Sequence, residues 1–315
     1  MRQLVIGPND CGQRIDKFMG KRFKTMPAAL IYKFIRKKCV SVNKKKVAEN
    51  YILQEGDVLS FFISDEFFGD SAKTEPFRKL KSELTVAYED ENVLIIDKPA
   101  GLIVHSDEKE GYNTLINHIL AYLYQKGEYD PDKENCFAPA LCNRIDRNTE
   151  GLVIAAKNAR ALGEMNEIIK QRLVKKKYLT VVHGFFDQKQ GEIRSKLEKD
   201  QKTNTVRVSD KYGKEAITRY RVLRTNREKE LSLLEVELLT GRTHQIRAQF
   251  ASLGHPLLGD GKYAVNKADR AMGYSYQALC SYSLRFFPGK EFSLLSYLNG
   301  VTVHAREPAF LKLFD

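Results

Sequence analysis

A chain of 315 residues accommodates one large domain, or a small domain beside a larger one. Its 43% apolar and 29% charged residues suit a globular protein that buries a core. Five scattered cysteines, with no Cys-x-x-Cys among them, argue against a disulfide framework or a zinc ribbon. The net charge of +12 is uneven, because residues 1–80 hold 16 Lys and Arg against 9 Asp and Glu. That excess predicts a front module that meets a polyanion, nucleic acid before anionic membrane. No run approaches the ~20 apolar residues of a membrane span, and the N-terminus lacks the apolar core of a leader, so a reduced, cytoplasmic protein is expected.

In chain order, Ile15, Phe18, Met19 and Phe23 stand at helical spacing and predict a helix within 13–25. Pro27 suits a first helical residue, and Leu30, Ile31, Phe34 and Ile35 form a second apolar stripe. Lys33, Arg36 and Lys37 fall on roughly the opposite face. A short strand at Val40–Val42 follows, then a basic turn with Lys44, Lys45 and Lys46, and an apolar run at 58–62. Residues 1–63 thus predict a small α/β unit, and the polar 64–82 segment reads as a linker. From 83 to 315 strand-like runs dominate, at 84–88, 93–97, 102–104, 152–156, 178–182, 216–223, 231–239 and 277–286. Helices are expected near 113–125, 159–172 and 244–253, the last bracketed by Thr243 as N-cap and Gly254 as stop. Alternation in several strands predicts an α+β fold, with a mixed, largely antiparallel sheet and flanking helices.

The most informative short segment is Asn143-Arg144-Ile145-Asp146-Arg147 in a polar loop ahead of the apolar 152–156. An aspartate between two arginines is expected to stay ionised, as a nucleophile or electrostatic anchor rather than a proton donor. The histidines match no zinc spacing, so no metal is expected. Gly7-x4-Gly12 lacks the lysine and hydroxyl of a phosphate loop. Gly259-x-Gly261-x-x-Ala264 lacks a preceding strand and a clear following helix, so no nucleotide cofactor is expected either.

The two front helices, the Val-Ser-Val-Asn strand and the basic turn resemble an S4 RNA-binding domain. That resemblance makes Lys33, Arg36, Lys37, Lys44, Lys45 and Lys46 candidate phosphate contacts, which neutralise a backbone without reading its sequence. Four further blocks resemble the RluA family of RNA pseudouridine synthases. They are Asp97-Lys98-Pro99-Ala100-Gly101-Leu102, the Asp146 loop through Gly151-Leu152, Lys177-Tyr178 through Gly184, and Thr240-Gly241-Arg242-Thr243-His244-Gln245-Ile246-Arg247 continuing to Gly259-Asp260. Asn143, Ile145 and Glu150 stand where the family usually has histidine, leucine and serine.

The resemblance implies isomerisation of uridine to pseudouridine in a structured RNA, ribosomal RNA favoured over transfer RNA, without a cofactor and with a monomeric protein. Asp146 is then the essential carboxylate, attacking covalently or abstracting a sugar proton. Tyr178 stacks on the base and is a candidate for removing the C5 proton. Arg247 pairs with Asp146, Arg144 fills the gap left by a flipped nucleotide, and Ile246 lines the uracil pocket. Asp260 is expected to brace a Gly-rich turn. Two rivals are a non-catalytic RNA-binding or ribosome-assembly protein and an Asp-dependent hydrolase; the latter requires a second carboxylate that the sequence does not single out.

Overall fold

The computed structural model describes residues 1–68, 75–105, 112–200, 203, 205–209 and 211–315. Its chain divides into two compact units: 1–82 with 117–140 and 156–163, and 83–116 with 141–155 and 164–315.

In the first unit, β1 (Arg2–Val5), α1 (Ile15–Arg22), α2 (Ala28–Arg36), β2 (Val40–Val42) and β3 (Val58–Phe61) follow in order. The strands form a three-stranded antiparallel sheet in the order β1-β3-β2. Ile15, Phe18, Met19, Phe23, Ile31, Ile35, Val40, Val42, Leu59 and Phe61 form one buried cluster, each large side chain adding about 1.5–3 kcal/mol of burial. Pro27 precedes α2 as its cap residue, with extended φ −58° and ψ 141°, rather than opening the helix. Asn43 and Lys44 both take positive φ, the condition for a tight two-residue turn, and Val42 and Lys45 exchange backbone hydrogen bonds of 2.9 and 2.8 Å across it. The segment 64–82 is more than an open linker. Asp65–Phe68 and Pro76–Lys79 are 3-10 turns that bury Phe68 and Phe77, while residues 69–74 lie outside the described residues.

The second unit is organised by an 11-stranded sheet. Its elements are β4 (Val86–Glu89), β5 (Val93–Lys98), α3 (Leu115–Gln125), β6 (Ala140–Leu141), β7 (Glu150–Ala156), α4 (Ala159–Lys170), β8 (Val174–His183), β9 (Gln190–Asp200), β10 (Thr205–Ser209), β11 (Lys214–Asn226), β12 (Leu231–Leu238), α5 (Gln245–Ser252), α6 (Lys267–Ala271), β13 (Leu279–Phe286) and β14 (Thr302–His304), some of whose residues group with the first unit. The order is β10-β9-β11-β12-β8-β13-β7-β5-β4, with β14 on β13 and β6 on β7. β13 runs parallel to β7 and antiparallel to β8, so the sheet is mixed and largely antiparallel, as the alternation predicts.

The expected strand at 102–104 is absent: Ile103 makes only an isolated bridge to Thr114, leaving the segment free to wrap a loop described below. β1, β9, β10 and β14 are not among the expected strands; β1, β9 and β14 carry little apolar signal, whereas Val206 and Val208 of β10 do alternate. β9 alternates mostly between exposed and half-buried residues and is strand because β10 and β11 pair with it.

Sheet order positions the site. Ser281 of β13 stands opposite Tyr178 of β8 on one side and Gly151 of β7 on the other. Gly151 has φ +103°, and a Cβ there would meet the Ser281 carbonyl oxygen at 2.3 Å. The glycine therefore lets β7 approach β13 closely, bringing the loop before β7 beside Tyr178. Gly151→Ala should lower stability by at least about 2 kcal/mol through overpacking and left-handed strain, read as a fall in the urea midpoint at unchanged m-value.

Candidate active site

The Asp146 loop is held mostly through its backbone. Thr149 N–H donates to the Asp146 carbonyl (3.1 Å), and the buried Thr149 hydroxyl accepts from Gln277 Nε2 (3.2 Å). Asn143 Oδ1 accepts the Ile154 N–H (2.7 Å) while Cys142 N–H donates to the Ile154 carbonyl (2.8 Å). The Asn143 departure from the family pattern is thus occupied in closing the loop onto β7. From the other side, Gly101 N–H donates to the Arg147 carbonyl (3.0 Å) and Arg147 Nε returns a bond to the Gly101 carbonyl (3.1 Å).

Lys98, fully buried, donates from Nζ to the carbonyls of Pro99 (2.8 Å), Leu102 (3.0 Å) and Arg147 (2.8 Å). Burial pushes its pKa down to about 7, with Asp146 and Glu150 pulling it back up. Three carbonyl oxygens are satisfied by an ammonium and not by a two-donor amine, so the cage favours the charged form. This explains the first block chemically: its lysine clamps the Asp146 loop. Glu150, half-buried, is raised by burial and by Asp97, against Arg306 and Lys98.

α5 supplies the opposite wall. Almost all of it is buried, including the polar Gln245, Arg247 and Gln249. Gln245 Nε2 donates to Thr218 Oγ1 (2.8 Å) and to the Ile217 carbonyl (3.1 Å), and its Oε1 accepts from Thr240 Oγ1 (2.9 Å). Gln249, one turn on, accepts the Thr218 hydroxyl (2.6 Å) and donates to Ser195 Oγ (2.9 Å). These bonds fasten the helix to β11 and β9 and satisfy the groups they bury. The helix is capped by His244, in left-handed conformation (φ 51°), not by Thr243. The end at Gly254 is as expected, with φ +82° after the last turn.

Fixed this way, Arg247 divides its guanidinium between two carboxylates. Nε and Nη2 take Asp260 in a bidentate pair (2.7 and 2.8 Å), and Nη1 reaches Asp146 Oδ2 at 2.8 Å. Burial opposes the charge on Arg247, but Asp260 and Asp146 outweigh it and hold its pKa above the usual value. Asp260 is 1% exposed and Arg247 7%, whereas the Asp146 side chain remains 26% exposed. Asp260 therefore does more than brace a turn: it aims Arg247 at Asp146. His244 Nε2 lies 3.7 Å from the same Asp146 oxygen, and its Nδ1 is 2.8 Å from Tyr263 OH, which accepts the Val206 N–H (2.9 Å). Burial lowers the His244 pKa to about 4, with Asp146 opposing and Arg247 and Lys262 assisting, so the ring is neutral near pH 7.

Tyr178 and Ile246 share an apolar cluster that Ile145 joins from the loop, and all three line an open cleft of about 1490 Å³. Burial raises the Tyr178 pKa to about 12, the Ser281 hydroxyl opposing and Asp146 adding to the rise. Arg144 is exposed and lines the same cleft. Lys33, Arg36, Lys37, Lys44, Lys45 and Lys46 are exposed in the first unit, and Lys38 lowers the pKa of Lys46. The Asp146–Arg247 and Tyr178–Ile246 groupings expected from sequence are thus present. The Asp260 fork, the Lys98 clamp and the His244–Tyr263 pair carry no local signal in spacing or charge, although every one of those residues except Tyr263 lies in one of the four motif blocks.

A family model described as RNA pseudouridylate synthase matches residues 92–252. These include Lys98, Asp146, Tyr178 and Arg247. The chain belongs to the RluA family of RNA pseudouridine synthases. Over 99% of its length it is 32% identical to an uncharacterized RNA pseudouridine synthase of Mycoplasma genitalium, covering 97% of that protein. It is 31% identical to the ribosomal large subunit pseudouridine synthase C of Vibrio cholerae, over 84% of this chain and 81% of that one. In fold it is similar to human RNA pseudouridylate synthase domain containing 1, with a TM-score of 0.58 at 22% identity, covering 74% of this chain and 86% of the human one.

The family's reaction is the isomerisation of uridine in RNA. Asp260→Asn removes one charge from the buried trio and should destabilise the protein by about 3–5 kcal/mol. A urea titration measures that loss, and pseudouridine formation by the folded fraction should fall with it as Arg247 loses its aim.

Proposed function

We propose that the cleft isomerises a flipped uridine in ribosomal RNA, with Asp146 as the essential carboxylate. The observation that carries this reading is the Arg247 fork, which leaves Asp146 as the accessible carboxylate of a buried trio. The N1–C1′ bond breaks, the base rotates, a C5–C1′ bond forms and the C5 proton is lost while N1 gains one. Atoms balance without a redox partner or group donor. Asp146 acts either by attack or by abstraction of a sugar proton. Arg247 orients the carboxylate through a charge-assisted hydrogen bond.

Tyr178 offers its ring face to the uracil beside Ile246. With a pKa of about 12 it is almost wholly the neutral phenol at pH 7, roughly one part in 10⁵ being phenolate, which favours stacking over proton removal. Arg144, exposed at the cleft, is suited to the space left by the flipped nucleotide. A hydrolase acting through two carboxylates is disfavoured because both Asp260 oxygens are committed to Arg247 and Glu237 is paired with Lys175. A non-catalytic RNA binder would have no use for the buried fork.

Among the described residues the cleft lining has eleven lysines and arginines against three carboxylates, a field that attracts a polyanion. In the first unit, the exposed Lys33, Arg36 and Lys37 on α2 and the lysines of the Asn43-Lys44 turn support an S4-like RNA-binding role for residues 1–63. Ribosomal RNA as substrate rests on similarity to the Vibrio cholerae enzyme, and a cytoplasmic site of action accords with that substrate. No helix among the described residues is long and apolar enough to cross a membrane.

Asp146→Asn should abolish pseudouridine formation in large-subunit ribosomal RNA and leave RNA affinity within a few-fold. Primer extension after chemical adduct formation reads the first quantity and filter binding the second; retained turnover would refute the catalytic assignment. Replacing Lys33, Arg36 and Lys37 together with glutamine should lower the slope of log affinity against log salt by about 0.7 for each phosphate left unneutralised. An unchanged slope would remove the S4-like reading.

A further inference from the structure

Three consecutive lysines on β8, Lys175, Lys176 and Lys177, have different fates. Lys175 Nζ is 3.2 Å from Glu237 and Lys177 Nζ 3.0 Å from Glu235, both carboxylates on the neighbouring β12. Strand alternation puts those two lysines on one face of the sheet and Lys176 on the other, with Tyr178. Lys176 lines the cleft alongside Tyr178. It is half-buried, and no carboxylate partner for it occurs among the described residues. Burial accordingly lowers its pKa, with no opposing charge to restore it.

The exposed cations of the cleft are solvated by water and need no partner. A half-buried ammonium with no carboxylate beside it is different, because it has lost part of its hydration and gains from a ligand that supplies the opposite charge. Two residues along an extended strand span about 7 Å, so Lys176 stands next to the ring on which the uracil would lie.

We propose that Lys176 binds a backbone phosphate of the RNA strand at the flipped uridine, the substrate itself providing the missing counter-charge. This rests on the reading that the Asp146–Tyr178 cleft holds that uridine. The contact gives the enzyme a hold on the reacting nucleotide that is independent of the base, and it is an ion pair the free protein leaves unmade.

The test uses the full-length protein and unmodified large-subunit ribosomal RNA transcribed in vitro. Lys176→Met should weaken RNA binding about tenfold at moderate salt, as removal of one charge-assisted hydrogen bond does, and lower the salt slope by about 0.7. Lys176→Arg should restore both quantities, whereas a role in packing alone would not be rescued by charge. Lys177→Met is the control, since Glu235 keeps Arg221 at 3.2 Å and Lys177 does not line the cleft; its slope should match the wild type. If Lys176→Met does not fold, Lys176→Gln is measured in its place. An unchanged affinity and slope in the neutral variant, or a deficit that arginine fails to repair, overturns the proposal. Asp146→Asn assayed in parallel separates the two claims: a dead Asp146 variant with an unaltered slope in the Lys176 variant refutes the phosphate contact alone. An active Asp146 variant with a reduced slope in the Lys176 variant refutes the catalytic reading and leaves the phosphate contact standing.

Discussion

The second unit's chemistry depends on one guanidinium held between two carboxylates. Arg247 has its Nε and Nη2 closed on Asp260 and turns Nη1 to Asp146. A buried cation requires compensation, and Asp260, almost completely enclosed, provides it permanently. Asp146 is then oriented without being sealed in, which is the condition a reactive carboxylate must meet. Two aspartates of one site thereby acquire different work from burial and hydrogen bonding alone.

The rest of the unit serves that arrangement by removing alternatives. Gln245 and Gln249 fasten α5 to the sheet, so Arg247 has little freedom to turn away. On the facing side the Asp146 loop is held by groups that bind its backbone rather than its carboxylate: Lys98 and Gly101 on the Arg147 carbonyl, and Thr149 on the Asp146 carbonyl. Side-chain freedom is removed by packing, while the Asp146 carboxylate oxygens stay uncommitted except to Arg247 and, at a longer distance, His244.

Much of this was legible beforehand where a local rule applied. The apolar periodicity of α1, α2 and α4 reports burial on one face, and the apolar run of β12 reports a strand buried on both. Strands such as β9, with little apolar signal, were silent because pairing partners far away in sequence make them strands. The 102–104 segment misled for the converse reason: Leu102 gives its carbonyl to Lys98, and Ile103 makes one bridge to Thr114 and lines the cleft, instead of entering a ladder. Thr243 had the composition of a helix cap, but the backbone placed His244 there, in a left-handed conformation uncommon outside glycine.

Local charge and motif alone single out Asp146 and a basic front to the chain, and the resemblance of the motif blocks groups Tyr178 and Arg247 with that carboxylate. The flanking arginines implied only an ionised carboxylate, while the resemblance paired Asp146 with Arg247, and the fold makes that pair at 2.8 Å. The turn between Asp146 and Thr149 leaves Arg144 and Arg147 exposed, with Arg147 engaged by Gly101. The partner that counts arrives from α5, about a hundred residues away. Sheet order is responsible: β13 lies between β7 and β8, and the close approach at Gly151 brings the loop beside Tyr178. Charge adjacency along a chain is a one-dimensional fact, whereas a buried ion pair is selected by which surfaces the fold closes against water.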